Sequence, residues 1–128
     1  MGGYGALHIG LKYPKLFATV TGNSPALIKN VTDSVGDQTF WVSQSPVTLA
    51  TKNADKARHQ AIRVICGTAD NLFAGAKVFH EELDKLKIPH EFLPVPESPH
   101  NHDQLLQYEK FDTMEFYGKV FGGKGKSR

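Results

Sequence analysis

Two adjacent segments constrain this chain most. Ala61-Ile62-Arg63-Val64-Ile65-Cys66, bounded by Gly67, is a nearly continuous apolar run of strand length, the pattern of a strand covered on both faces inside a parallel sheet. Directly after Asp70-Asn71, residues Leu72, Ala76, Phe79, Leu83 and Leu86 recur at steps of four, three, four and three, which draws one stripe along a helix. Ile88-Pro89 stops that helix, and His90-Glu91-Phe92-Leu93-Pro94-Val95 follows as a second strand. Its prolines suit an end or edge position, because proline cannot donate to the ladder. Residues 61–66 are accordingly read as a central strand.

The flanks extend the same alternation. Upstream, Ala6, Leu7, Ile9, Gly10 and Leu11 suit a helix over Tyr4–Tyr13, closed by Pro14, which pushes its predecessor out of the α region. Phe17–Thr21 is a short β-prone run, and Gly22-Asn23-Ser24-Pro25 is the loop after it. Residues 24 to about 60 mix Pro, Gly, Ser and Thr with short apolar pieces and suit loops and short helices, with Ser45-Pro46 as an N-cap and first helical position. Downstream, a loop over Pro96–His102 leads to one helix from Asp103 to Phe121 carrying Leu105, Tyr108, Phe111, Met114, Tyr117 and Phe121, which Gly122-Gly123 ends. The expected fold class is therefore α/β, with about three parallel strands, flanking helices and right-handed crossovers. Residues 1–123 form one domain, with 24–60 its variable region and 124–128 a basic tail.

Composition removes several function classes. The formal charge is +2 and spread along the chain apart from Lys124, Lys126 and Arg128, so no basic stripe points to nucleic acid. No stretch approaches the roughly 18 apolar residues of a membrane span, and no basic and apolar leader opens the chain. As written, the sequence is expected in the cytoplasm. Met1-Gly2-Gly3 has Ala6 where a myristoylation signal wants Ser or Thr. Cys66 is the single cysteine, which rules out an internal disulfide and a Cys-based zinc site and leaves a buried inert thiol. At 128 residues the chain has about half the length that the largest single-domain α/β enzymes need.

Polar groups of a parallel sheet gather at the carboxyl ends of its strands. The loops there contain Asn23-Ser24, Gly67-Thr68-Ala69-Asp70 and Ser98-Pro99-His100-Asn101-His102. A hydroxyl, a carboxylate and an imidazole on one rim are what acyl transfer requires: the imidazole takes the nucleophile's proton, and the carboxylate fixes its tautomer. Other readings stand beside this one. Asp70 precedes a helix and suits an N-cap equally well, and His100 suits a surface loop. His100, His102 and Asp103 faintly resemble a metallohydrolase loop, but no second ligand cluster accompanies them, and neither a metal nor a cofactor is assigned. Phe40 and Trp41 suit either an apolar acyl pocket or a core pair.

From Met1 to about Phe121 the chain resembles the α/β-hydrolase superfamily. Met1-Gly2-Gly3-Tyr4-Gly5-Ala6-Leu7 is similar to the residues just after the serine in Ser-Met-Gly-Gly-x-Gly-Ala, the continuation of the G-x-S-x-G turn. Gly67-Thr68-Ala69-Asp70 is similar to the family's Gly-x-x-Asp acid turn, and Val95-Pro96-Glu97-Ser98-Pro99-His100-Asn101 to its Val-Pro-Gly-x-x-His-Asn histidine segment. The segments look most like the esterase D and feruloyl-esterase-like branch of carboxylesterases. The resemblance implies a partial α/β-hydrolase fold with Asp70 as triad acid, His100 as triad base and the backbone nitrogen of Met1 as an oxyanion donor.

The family's serine would stand one position before Met1, and no Gly-x-Ser precedes Met1 in this sequence. Three expectations follow: a C-terminal fragment of a serine carboxylesterase; an esterase with Ser24 as surrogate nucleophile, preferred to Ser98, which is too close to His100; or a non-catalytic binding module. The expected partners are a small ester substrate and either a complementary N-terminal half or a second copy that covers the exposed sheet edge.

Overall fold

The computed structural model describes residues 2–27, 43–108 and 113–126. Its sheet has three parallel strands, β1 (Thr19–Asn23), β2 (Ala61–Gly67) and β3 (Glu91–Val95), in the order β1-β2-β3. The apolar run at 61–66 is thus central, as its composition predicts. Alternate side chains of a strand face opposite sides, and β2 needs apolar groups on both. Ile62, Val64 and Cys66 enter a core with Leu7, Leu11, Val20, Ala76, Phe79 and Leu83, whereas Ile65 packs with Val95 and Leu105.

Helix α1 (Gly2–Lys12) lays Leu7 and Leu11, four residues apart, on the first face. Gly10 lets it approach β1 closely: a Cβ there would come within 2.5 Å of Val20 Cγ2. β1 begins two residues later than Phe17–Thr21 suggests, because Gly22 and Asn23 pair with Val64 and Ile65 while Phe17 remains exposed. The variable region contains α2 (Pro46–Lys52) and α3 (Ala54–Ala57). Ser45 caps α2 by accepting Thr48 N–H at 3.2 Å, with Pro46 in the first turn, as expected. Phe40 and Trp41 lie outside the described residues.

Helix α4 (Phe73–Lys85) buries Ala76, Phe79 and Leu83 as its stripe predicts, and Leu72 and Leu86 pack against the same core just beyond its ends. The expected single helix over 103–121 is instead two: α5 (His102–Gln107) and α6 (Thr113–Lys126). α5 ends at Tyr108, whose backbone is extended (φ −68°, ψ 125°). Leu105 of α5 enters the cluster with Ile65, whereas Phe116 of α6 is buried under Arg63, whose guanidinium lies 4.2 Å from the ring centroid. Arg63 also pairs with Glu91 at 2.7 Å. One continuous apolar stripe thus serves two separate attachment points. Gly122-Gly123 does not stop α6, which continues to Lys126 through the start of the expected basic tail. No helix among the described residues is long and apolar enough to cross a membrane.

Candidate active site

The ends of the three strands bring the predicted polar groups together. Past β1, Ser24 is held by its N–H to Ile65 O (2.8 Å) and takes a left-handed conformation at φ 45°. The loops after β2 and β3 are laced to one another: Thr68 N–H donates to Val95 O (2.9 Å), Ala69 N–H to Ser98 O (3.0 Å) and Glu97 N–H to Thr68 Oγ1 (2.8 Å). Gly67 lies where they cross. A Cβ at that position would stand 2.0 Å from the Ser98 carbonyl oxygen, so glycine is required for close approach of backbone rather than for an unusual φ. Asn101 accepts Gln104 N–H and caps α5, which anchors the far side of the histidine loop.

This lacing sets His100 Nδ1 at 2.8 Å from Asp70 Oδ2. The Asp70 side chain is 2% exposed and that of His100 64%. The other carboxylate oxygen, Oδ1, accepts Leu72 N–H at 2.9 Å, just ahead of α4. Asp70 therefore serves the helix start and the imidazole at once. Burial works against its charge, but the Leu72 N–H, the hydrogen bond and charge of His100, and the Ser24 hydroxyl together outweigh burial and hold its carboxyl below the ordinary value. Cys66 is fully buried and free. Burial and the nearby Asp70 charge push its thiol up to about 11, which keeps it protonated and unreactive at neutral pH.

Gly2, Gly3, Thr21, Asn23, Ser24, His100 and His102 line a cleft of about 350 Å³. With Nδ1 committed to Asp70, the ring nitrogen of His100 left for this cleft is Nε2. Gly3 presses the start of α1 onto β1, since a Cβ there would meet Asn23 O at 2.4 Å. Ser24 is 6% exposed, and its hydroxyl lies close enough to Asp70 and Cys66 to favour their ionised forms. Met1, the expected oxyanion donor, lies outside the described residues. His100, His102 and Asp103 do not converge as a ligand set among the described residues. The contribution of Ser98, whose carbonyl fastens the two loops, had no sequence signal beyond the glycine opposite it.

A family described as "Putative esterase" matches residues 1–93. The chain belongs to this esterase family. Asp70 falls inside the matched segment and His100 beyond it. Similar solved structures are a ferulic acid esterase (21% identity, 81% of this chain and 43% of that one, TM-score 0.68) and the Staphylococcus aureus fluorophosphonate-binding serine hydrolase FphF (20%, 93% and 51%, 0.67). A third is the S-formylglutathione hydrolase FrmB from Staphylococcus aureus (20%, 80% and 46%, 0.63). At these identities the likeness concerns the fold, which is that of α/β-hydrolase esterases. The chain spans about half the length of the structures it resembles. None of the curated proteins matches it.

Proposed function

We propose that this esterase-family chain carries the acid–base half of a serine-type carboxylic ester hydrolase, with Asp70 as the acid and His100 as the base. The supporting observation is the 2.8 Å contact from His100 Nδ1 to a carboxylate that is itself buried and held ionised. In this reading Asp70 fixes the tautomer in which Nε2 is unprotonated. Nε2 then takes the proton of a hydroxyl in the cleft as that oxygen attacks the ester carbonyl. Asp70 stabilises the resulting imidazolium, which returns the proton to the departing alcohol oxygen; water repeats the sequence to release the acid. The substrate class is a small carboxylic ester.

Two positions are proposed for the hydroxyl. The family pattern puts a serine immediately before Met1, at the α1 side of the cleft where Gly2 and Gly3 lie. Ser24 lines the same cleft and is the surrogate, although its hydroxyl would have to turn from Asp70 to Nε2. Hydrolysis of an activated p-nitrophenyl ester by the chain and by H100A and S24A tests both. We expect H100A to lose at least 100-fold of turnover above buffer, the order of a general-base contribution. Equal rates for the chain and H100A would sink the assignment, and unchanged turnover in S24A would remove Ser24 as nucleophile.

A second reading, a self-associating or binding module, is supported by Leu16 (75% exposed) and its neighbours Tyr13 and Phe17 beside β1, one of the two edge strands of the described sheet.

A further inference from the structure

At the opposite end of the sheet, His80 and Asp84 on one turn of α4 meet His90, the residue before β3. One ligand atom from each lies within 4.8 Å of the other two. β3 is five residues long, which puts this cluster about 16 Å along the strand from the catalytic rim. His90 is almost wholly buried, with its side chain 3% exposed, whereas His80 is 30% and Asp84 62% exposed. The ring of His80 stacks on Phe92 at 4.4 Å and meets that of His90 edge-on at 4.9 Å.

The ring nitrogens of this cluster turn toward one another and toward the carboxylate. His90 Nδ1 lies 2.8 Å from Ile88 O, a carbonyl that can only accept, so this nitrogen carries a proton. His90 Nε2 and His80 Nδ1 are 2.6 Å apart, and His80 Nε2 lies 3.5 Å from Asp84 Oδ2. A proton on His80 Nδ1 meets the 2.6 Å contact and leaves Nε2 as a lone pair toward the carboxylate; a proton on Nε2 leaves the lone pairs of His80 Nδ1 and His90 Nε2 face to face. Either way the cluster presents converging donor atoms of the kind a cation takes.

We propose that this cluster binds a divalent transition metal ion of the zinc type, held by His80, Asp84 and His90 with water in the fourth position. Two imidazoles and a carboxylate suit such an ion. The His90 Nδ1–H bond to Ile88 O is the outer contact that orients a metal-binding histidine and leaves Nε2 as its donor. Tetrahedral coordination at about 2.0–2.1 Å needs ligand atoms about 3.3 Å apart. The 2.6 Å contact opens and the 3.8 Å distance from His90 Nε2 to Asp84 Oδ1 closes, each by less than about 1 Å. The site would clamp the end of α4 to the start of β3 across the tight connection in which Lys87 has φ 56°, a structural role apart from ester chemistry.

Calorimetric titration of the full chain with Zn²⁺, repeated with Co²⁺ to read the visible band of a tetrahedral site, tests this. We expect saturable binding that D84N and H80Q each weaken at least about tenfold and that H59Q, at an exposed histidine, leaves unchanged. The melting temperature should rise with Zn²⁺ in the wild type and not in D84N. Absence of saturable binding, or binding that survives in both D84N and H80Q, would overturn the proposal.

Discussion

Asp70 makes opposite demands on its two oxygens, one for the start of α4 and one for His100. Both are met only by a carboxylate, so an amide in its place must present an NH₂ to one of two donors. D70N is expected to lower any His100-dependent turnover by about 10⁴, the size seen when a triad imidazole loses its tautomer control. The same group carries a pH prediction. Its folded-state pKa is lowered, so the ionised form favours the folded chain. That contribution is complete above the ordinary carboxyl value of about 3.9 and is lost as pH falls through the lower folded value. Melting curves should show a steeper acid-side loss for the wild type than for D70N; parallel curves would refute it. Asp70 and His100 were visible in sequence because a Gly-x-x-Asp turn and a His-Asn segment each follow a strand. The engagement of Ser24 with Asp70 was not visible, since it depends on how β1 and β2 end side by side. The His80–His90 contact was equally hidden, because a turn and a proline separate the two rings in sequence.

Among the elements, those buried on both faces or along a single stripe were legible. β2 reads as a central strand because Ile62, Val64 and Cys66 on one face and Ile65 on the other all find apolar cover; α4 reads as a helix because one core receives its whole stripe. The last helix misled because periodicity records which side chains are apolar and not which surface they meet. Leu105 and Phe116 serve different patches, and the chain breaks at Tyr108 to reach both. The glycines at 122–123 misled in the other direction, as a helix tolerates glycine at a cost of about 1 kcal/mol each. Gly67 carries the prediction at this scale. In G67A a methyl would have to displace the Ser98 backbone, so a destabilisation of about 1–3 kcal/mol is expected from chemical denaturation. A wild-type midpoint in G67A would show that the loops can separate freely.

For the molecule as a whole, the described sheet is covered on two faces and ends in two edge strands, β1 and β3. α1, α2 and α4 border the core on one face, and α5 and α6 cover the other, but β1 pairs only with β2 among the described residues. Leu16 beside it is 75% exposed. If this margin is where a second copy docks, light scattering should give a dimer or larger species at tens of micromolar and a monomer for L16K; a wild-type monomer at that concentration would exclude self-association. An exposed edge is what a sheet of about three strands leads one to expect. Its position at β1 required the strand order. The crossing of Gly67 and Ser98 lies on the far side of β2 from this margin. Asp70 and His100 are therefore held together by the fold itself, through the loops that this crossing fastens. If the proposed function holds, what adjoins β1 decides pocket and nucleophile, while that clasp sets the carboxylate–imidazole pair independently of it.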